Sequence, residues 1–430
     1  MPLMTKNSKL VLVTDVPFWN GFRGSHARID SLVKYLAAHV ELSIFFVGQL
    51  NLQQWTEARK KIPFEITGPS EPGVIGAALA PIIAAFSSRF RPNGGGGVDV
   101  PFSPTKLIDY ESEIIAKSFS AFLSRKQPHV ILIEYVTLAW LCKHIPVAMR
   151  PNLMVAIDTH DVMSNRETEF KKYQLDHWLS INAAEEGTAL SQADLVIAIQ
   201  EEDCKMLTAM LVDANSQSKQ PGIHGNRKPA QVIVCKHPAS SESLQRLRSR
   251  SHESAAIGFL GSSAEANNLG MREFLEHAWP KIVEALGDTV ELRIGGAVCD
   301  QLDSAAIISD KRITLVREVT SLIDFYNSVD LVINPVGIHS GLKIKSLEAL
   351  AFGRPLVTTR AGEAGLESGR DRCYLAADDW NTFSDNVVRL AKSQELQSQF
   401  SVEAHRLVND EFQAETVYSE LVRALTGVAK

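Results

Sequence analysis

Cysteine is scarce in this chain of 430 residues: five, at 142, 204, 235, 299 and 373, with no C-x-x-C pair and no metal-binding spacing. That excludes a disulfide framework, and an odd, scattered set reads as reduced thiols. Long apolar runs are missing as well. No stretch reaches the roughly 18 residues that a membrane-spanning helix needs, and the longest, Gly73–Phe86, is interrupted by Pro81. The short polar lead before Leu10-Val-Leu-Val13 leaves no room for a signal peptide. Excess positive charge is absent: the net charge is −6, which disfavours a nucleic-acid partner. What remains is ordinary globular composition, 45% hydrophobic and 22% charged, which argues against a disordered, collagen-like or coiled-coil chain. The expectation is a soluble, cytoplasmic protein, at most peripheral at the inner face of a membrane.

Charge is unevenly shared. Residues 1–250 carry 27 Lys and Arg against 24 Asp and Glu, whereas residues 251–430 carry 17 against 26. A basic N-terminal half suits anionic lipid or a pyrophosphate-bearing acceptor, and equally suits a solvated surface.

At this length one core does not suffice, and two domains of about 200 residues are expected. Strand-like and helix-like stretches alternate, the pattern of parallel sheets covered by helices. Strands are expected at Lys9–Thr14, Val40–Val47, Val130–Glu134, Leu153–Thr159, Ala193–Gln200 and Val232–Lys236. A helix over Ala27–Ala38 follows the first. Residues 66–104, rich in Pro and Gly, read as an excursion from the sheet, whose apolar residues beside Arg89 and Arg91 suit a lipid surface or a buried helix equally. The interdomain linker is placed within the polar stretch 238–254. The alternation then restarts: strands at Ala256–Leu260, Val290–Ile294, Ile313–Val316, Val329–Asn334, Pro355–Thr359 and Cys373–Ala376, with helices at Met271–Leu286, Leu322–Tyr326, Leu342–Phe352 and 381–427. The domains expected are 1–245 and 246–430.

The most informative segment is 329–360. A strand ends at Asn334-Pro335, the loop Val336-Gly-Ile-His-Ser340 leads to Gly341, and a helix follows with Gly353 at its C-terminal end. Amides near Ser340–Lys343 in the first turn lack intrahelical partners and sit at the positive end of the helix dipole. With Lys343 they make an anion site. Glu348, seven residues beyond Gly341, lies on the same face about 10 Å along the axis, and side chains lean toward the helix N-terminus. A nucleoside diphosphate has a matching separation between diphosphate and ribose. A well-capped helix with one solvated glutamate fits the same residues.

The run from Ser340 to Thr359, S-G-L-K-I-K-S-L-E-A-L-A-F-G-R-P-L-V-T-T, resembles the donor-binding signature of retaining family-four (group 1) glycosyltransferases. Ile257 to Gly261 with Asn267 and Trp279-Pro280, Asp324-Phe-Tyr326, and Asp194 to Ala198 resemble further elements of that family. The resemblance implies an α/β chain of two Rossmann-like domains with parallel sheets facing a central cleft, the GT-B fold. It makes the N-terminal domain acceptor-binding and the C-terminal one donor-binding, with the final helix packing back on the former. It also implies sugar transfer from a nucleotide-sugar donor to a glycan or lipid-linked acceptor with retention of anomeric configuration, in cell-envelope polysaccharide synthesis.

By the same resemblance Glu348 holds the ribose, and His339, Ser340, Gly341, Leu342 and Lys343 surround the phosphates. Val319 lies near the base, and Gly261 allows the diphosphate close to the backbone. Many members carry a Glu where Ser340 stands here, and a basic pair after the position of Gly261, which leaves Lys343 as the favoured cation and Arg293 as a weaker one. In the N-terminal half, Gly21 and Gly24 lie in a loop that the family places near diphosphate and acceptor. His160, at the end of a strand, is expected near the donor sugar or acceptor hydroxyl, with Asp161 capping a helix toward Arg166. No Asp-x-Asp triplet occurs, so no cofactor and no metal are expected; the helix tip and Lys343 take that electrostatic role. A nucleotide-sugar epimerase and a non-catalytic nucleotide-sugar-binding subunit are the competing readings.

Overall fold

The computed structural model describes residues 8–20, 24–71, 104–217, 229–239, 255–302, 307, 309–339 and 341–425. They form two compact units. The first runs up to Cys235 and takes in the chain again from Tyr418, and the second spans Lys236–Val417.

The first unit is built on seven strands: β1 (Lys9–Thr14), β2 (Glu41–Phe46), β3 (Glu65–Thr67), β4 (Val130–Glu134), β5 (Met154–Asp158), β6 (Leu195–Ala198) and β7 (Gln231–Val234). Their order is β3-β2-β1-β4-β5-β6-β7, and the pairings are parallel. Helices cover both faces, so the strands are apolar on both. Val11, Val13, Ile131 and Ile133 share a core with Phe119, Phe122 and Leu123 of the helix Glu113–Lys126. Leu10, Leu12 and Leu132, of opposite parity, are just as buried. The final helix, Ala414–Leu425, brings Tyr418 against Tyr35 of helix α1 (Gly24–Ala37), ring centroids 5.1 Å apart.

The second unit has six strands: β8 (Ala256–Leu260), β9 (Glu291–Gly295), β10 (Ile313–Val316), β11 (Leu331–Asn334), β12 (Leu356–Thr359) and β13 (Tyr374–Ala377). The order is β10-β9-β8-β11-β12-β13, again parallel. In each sheet the chain builds outward in one direction and then jumps back. The reversal lies between β1 and β4 in the first sheet and between β8 and β11 in the second. Ligands of such sheets bind beyond the carboxyl ends of the strands at these switch points.

Two local expectations need correction. The excursion expected from residue 66 starts later: Glu65–Thr67 pairs with Ser43–Phe45 as an edge strand. Residues 72–103, including Arg89 and Arg91, lie outside the described residues. The helix expected at Met271–Leu286 begins at Glu265 and passes through a π-turn at Phe274–Ala278 before Trp279–Leu286. Pro280 is the physical reason, since it lacks an N–H and its ring crowds the carbonyl four residues back; a wider turn relieves both. All five cysteines are free thiols. Among the described residues no helix is long and apolar enough to cross a membrane.

Candidate functional site

After β11 the chain turns through Gly341, whose φ of +51° is a left-handed conformation suited to glycine. Leu342 is buried. The amide of Lys343 donates to the Ala364 carbonyl at 3.2 Å, and the helix proper is Ile344–Ala351. The free amides expected over Ser340–Lys343 are thus reduced: that of Lys343 is consumed by the loop after β12. Ser340 lies outside the described residues. Ser346 pins the helix to the strand ends, donating to the Gly362 carbonyl at 2.7 Å and accepting from Asn334 Nδ2 at 2.8 Å. At the far end Gly353 has φ +64°, with its amide on Leu350 and that of Arg354 on Ala349, a Schellman closure.

Glu348 is half-buried, and its Oε1 accepts a hydrogen bond from the Tyr326 hydroxyl at 2.6 Å. Tyr326 is itself fixed. Its ring stacks on Phe352 with centroids 4.5 Å apart, and its carbonyl accepts from Arg354 Nε at 2.8 Å. Burial raises the Glu348 carboxyl above its ordinary pKa, against the opposing effects of the Tyr326 hydrogen bond and the charge on Lys345. Burial and then the Glu348 charge push the Tyr326 hydroxyl far up, so it remains a donor at physiological pH. Among the described residues Glu348 Oε2 has no protein partner, which leaves one carboxylate oxygen for a ligand.

Lys345 reaches the other side of the switch point. Its ammonium donates to Asn267 Oδ1 and lies 5.1 Å from the centre of the Phe259 ring. Asn267 Nδ2 holds the turn after β8, donating to the Ser262 carbonyl at 2.9 Å. Gly261 opens that turn, and a methyl group there would lie 2.7 Å from the Phe259 ring. Burial, then repulsion from Lys343, lowers Lys345 to a pKa of about 7, while Glu348 opposes the shift. Lys343 and His339 are half-buried beside this site. Arg293 pairs with Glu291 at 3.0 Å on its own strand. Val319 is half-buried near Gly295, at the carboxyl end of β9.

In the first unit Gly21 lies outside the described residues, and Gly24 opens α1. Arg28 of α1 grips Asp158 with two bonds, Nε to Oδ2 at 2.9 Å and Nη2 to Oδ1 at 3.0 Å, and both residues are buried. Burial alone would raise the Asp158 carboxyl; the charges of Arg28 and His160 outweigh it and hold the group below its ordinary range. His160 is buried with φ +59°, and its Nε2 lies 2.5 Å from Glu134 Oε2. Tyr135 stacks face to face on the His160 ring at 4.0 Å and has φ +70°. Burial lifts Asp15, after β1, to a pKa of about 6; its backbone hydrogen bond and His160 oppose the shift.

Asp161 does not cap the following helix. The amides of Met163 and Ser164 are taken by Glu186 at 2.9 and 2.8 Å, while Arg166 draws the Asp161 carboxylate aside at 3.1 Å. Ligand atoms of Glu134, Asp158 and His160 cluster within 4.8 Å, but Arg28 already occupies both oxygens of Asp158. A cation there would have to displace a guanidinium.

Sequence reasoning brought forward Glu348, Lys343 and His160. It missed Tyr326, Lys345 and Glu134, which touch or flank those residues. The available signal was the place of Glu134 at a strand end and of Lys345 three residues before Glu348 on one helix; Tyr326, in the separate helix Leu322–Asn327, carried none.

Residues 254–393 match the family model described as glycosyl transferases group 1. The chain is 21% identical over 177 residues to a capsular polysaccharide biosynthesis glycosyltransferase, CapM, of Staphylococcus aureus, covering 40% of this chain and 45% of that one. It is 22% identical over 175 residues to an uncharacterized protein in the cps region of Klebsiella pneumoniae, covering 38% and 44%. The chain thus spans under half the length of these curated relatives. Sucrose-phosphate synthase from Thermosynechococcus elongatus superposes with a TM-score of 0.65 at 12% identity, covering 98% of this chain and 100% of that one. Anabaena HepE in complex with UDP and glucose gives 0.61 at 10% identity, covering 98% and 100%. At such identities the likeness establishes the fold, which is GT-B.

Proposed function

We infer that this chain, whose residues 254–393 match the group 1 glycosyl transferase model, moves a sugar from a nucleotide-sugar donor to a glycan or lipid-linked acceptor in polysaccharide synthesis, with the anomeric configuration retained. One observation carries the reading: at the switch point of the second sheet a carboxylate fixed by Tyr326 shares a short helix with Lys345, Lys343 immediately precedes that helix, and Lys345 bonds Asn267, which holds the turn after β8. A nucleoside diphosphate has complementary parts. In this reading the free oxygen of Glu348 accepts from the ribose diol, Lys343 and Lys345 face the phosphates, and Val319 flanks the base. Leu342 and Gly341 shape the loop beside His339. His160 serves the transferred sugar or the acceptor hydroxyl.

Charge grows on the leaving diphosphate as the glycosidic bond breaks. Preorganised cations stabilise that charge most where water is scarce. With no nucleophile assigned, retention follows from front-face attack, the departing phosphate taking the acceptor proton. The capsular relative supports a polysaccharide product, and the UDP in the HepE complex supports uridine diphosphate as a first probe.

The test is a transfer assay with a panel of nucleotide-sugars, the product anomer read by NMR. Formation of a retained linkage supports the reading, and an inverted anomer refutes retention. Epimerised free nucleotide-sugar would make the chain an epimerase, and binding without turnover a non-catalytic subunit.

Lys345 provides a second check. With a pKa near 7 it is largely neutral at pH 8, and an adjacent phosphate favours its charged form. UDP binding at pH 8 should therefore take up as much as about one proton. Calorimetry in buffers of different ionisation enthalpy measures this uptake. Lys345→Met should abolish it, and absence of uptake in the wild type would remove Lys345 from the phosphate site.

A further inference from the structure

Glu134 ends β4 in register with Asp158 of β5 and is fully buried. Its Oε2 meets His160 Nε2, and its Oε1 is buried with no hydrogen-bond partner among the described residues. The opposite ring nitrogen, His160 Nδ1, also lacks a partner among the described residues, and 8% of the residue remains exposed. Tyr135 clamps the ring plane by stacking. Tyr135 and His160 both hold positive φ, a strained state for bulky residues that persists where the surroundings over-determine it, typically at functional sites. A merely structural histidine needs neither an orphaned carboxylate oxygen nor backbone strain shared with its stacking partner.

The protonation of this pair follows from burial. A low-dielectric site disfavours uncompensated charge. Arg28 and Asp158 already balance each other, so Glu134 and His160 together favour the state that is neutral overall. That state has two forms, a protonated carboxyl facing a neutral ring or a carboxylate facing an imidazolium. In both, Nδ1 carries a hydrogen.

We propose that Glu134 is a positioning residue that keeps His160 Nδ1–H a hydrogen-bond donor, aimed at an oxygen of the sugar being transferred. The inference deepens the transfer reading above and rests on it. The charged and titratable groups facing the pair are Asp15 from the end of β1, Arg28 from α1, Asp158 from β5, Cys235 after β7 and the Tyr135 hydroxyl. Burial raises the Glu134 carboxyl, while His160 and Arg28 oppose the rise. Glu134→Met keeps the length but offers Nε2 neither donor nor acceptor, whereas a glutamine amide could still donate to Nε2 and hold the hydrogen on Nδ1. In the methionine variant nothing fixes the hydrogen on Nδ1.

The experiment is nitrogen NMR of histidine-labelled full-length chain without ligand, the His160 signals assigned with His160→Gln. The wild type should show a protonated Nδ1 at pH 7. Glu134→Met should show Nδ1 protonated in a clearly smaller fraction of molecules. In the transfer assay the same variant should lose about tenfold or more in kcat/KM, its activity falling away at lower pH than in the wild type, with UDP affinity unchanged because UDP lacks the sugar. A bare Nδ1 in the wild type at pH 7 would overturn the proposal even if the variant failed to fold. An Nδ1 as fully protonated in Glu134→Met as in the wild type at pH 7 would overturn it as well. A wild type that transfers sugar from none of the donors would remove the sugar contact along with the transfer reading, while the nitrogen shifts would still decide where the proton sits.

Discussion

Replacing Arg28 by methionine should destabilise the first unit by about 3–5 kcal/mol, the usual cost of stripping one partner from a buried ion pair. Methionine retains much of the apolar stem, so packing is largely conserved. What disappears is the two-bonded grip on Asp158 and the bond from Nη2 to the Cys235 carbonyl at 2.9 Å. Asp158, with no exposed surface, is then a lone buried carboxylate in register with Glu134. The loss should depend on pH in a definite direction. In the wild type Asp158 is held below its ordinary value of 3.8, so its contribution is present above that value and fades only as pH falls through the lower one. In the variant the carboxyl moves up and takes a proton on mild acidification, which relieves the buried charge. Urea unfolding at pH 7 and pH 5 should therefore show the gap between variant and wild type narrowing at the lower pH. Arg28→Met with Asp158→Asn should recover much of the lost stability, since both charges then leave together. A gap that is equal at both pH values would show that the pair does not carry the stability.

The strand framework was legible because parallel strands covered on both faces must be apolar throughout. Lys9–Thr14, Val130–Glu134, Ala256–Leu260 and Ile313–Val316 stand where their apolar runs indicate. Edge strand β3 was hidden: three residues, Glu-Ile-Thr, have too little pattern to register. The site divides along the same line. Glu348 and Lys343 belong to a local grammar of strand, loop and helix, and so could be read. Their partners depend on which distant element arrives beside them. Tyr326 is 22 residues from Glu348, Asn267 is 78 from Lys345, and Glu134 is 26 from His160. The cap on the helix Met163–Lys172 shows the same limit. Asp161 was the local candidate, yet Glu186, from the helix Ala183–Leu190, takes the amides. Spacing along the chain reveals a residue's chemistry; only the sheet order reveals its neighbour.

Glu348→Gln should weaken UDP binding by about 1–3 kcal/mol, the range for hydrogen bonds to a charged group. The side chain keeps its size and its place beside Tyr326, but one oxygen becomes an amide donor and the charge is gone. A ribose diol then meets a donor where it needs an acceptor. Unchanged affinity would remove the ribose assignment. Tyr326→Phe tests the support separately: the ring still stacks on Phe352, while the 2.6 Å hydroxyl contact is lost. Burial already raises Glu348, and the Tyr326 bond is the first effect holding it back, so its loss should raise the carboxyl further. Binding that needs the carboxylate should consequently fail at a higher pH in this variant, as calorimetry from pH 5 to pH 8 would record. Glu348 also favours the charged form of Lys345. Glu348→Gln should lower the free lysine's pKa below about 7 and increase proton uptake when UDP binds near neutral pH. Weaker affinity together with greater uptake is a paired signature that neither general destabilisation nor a purely structural glutamate would give.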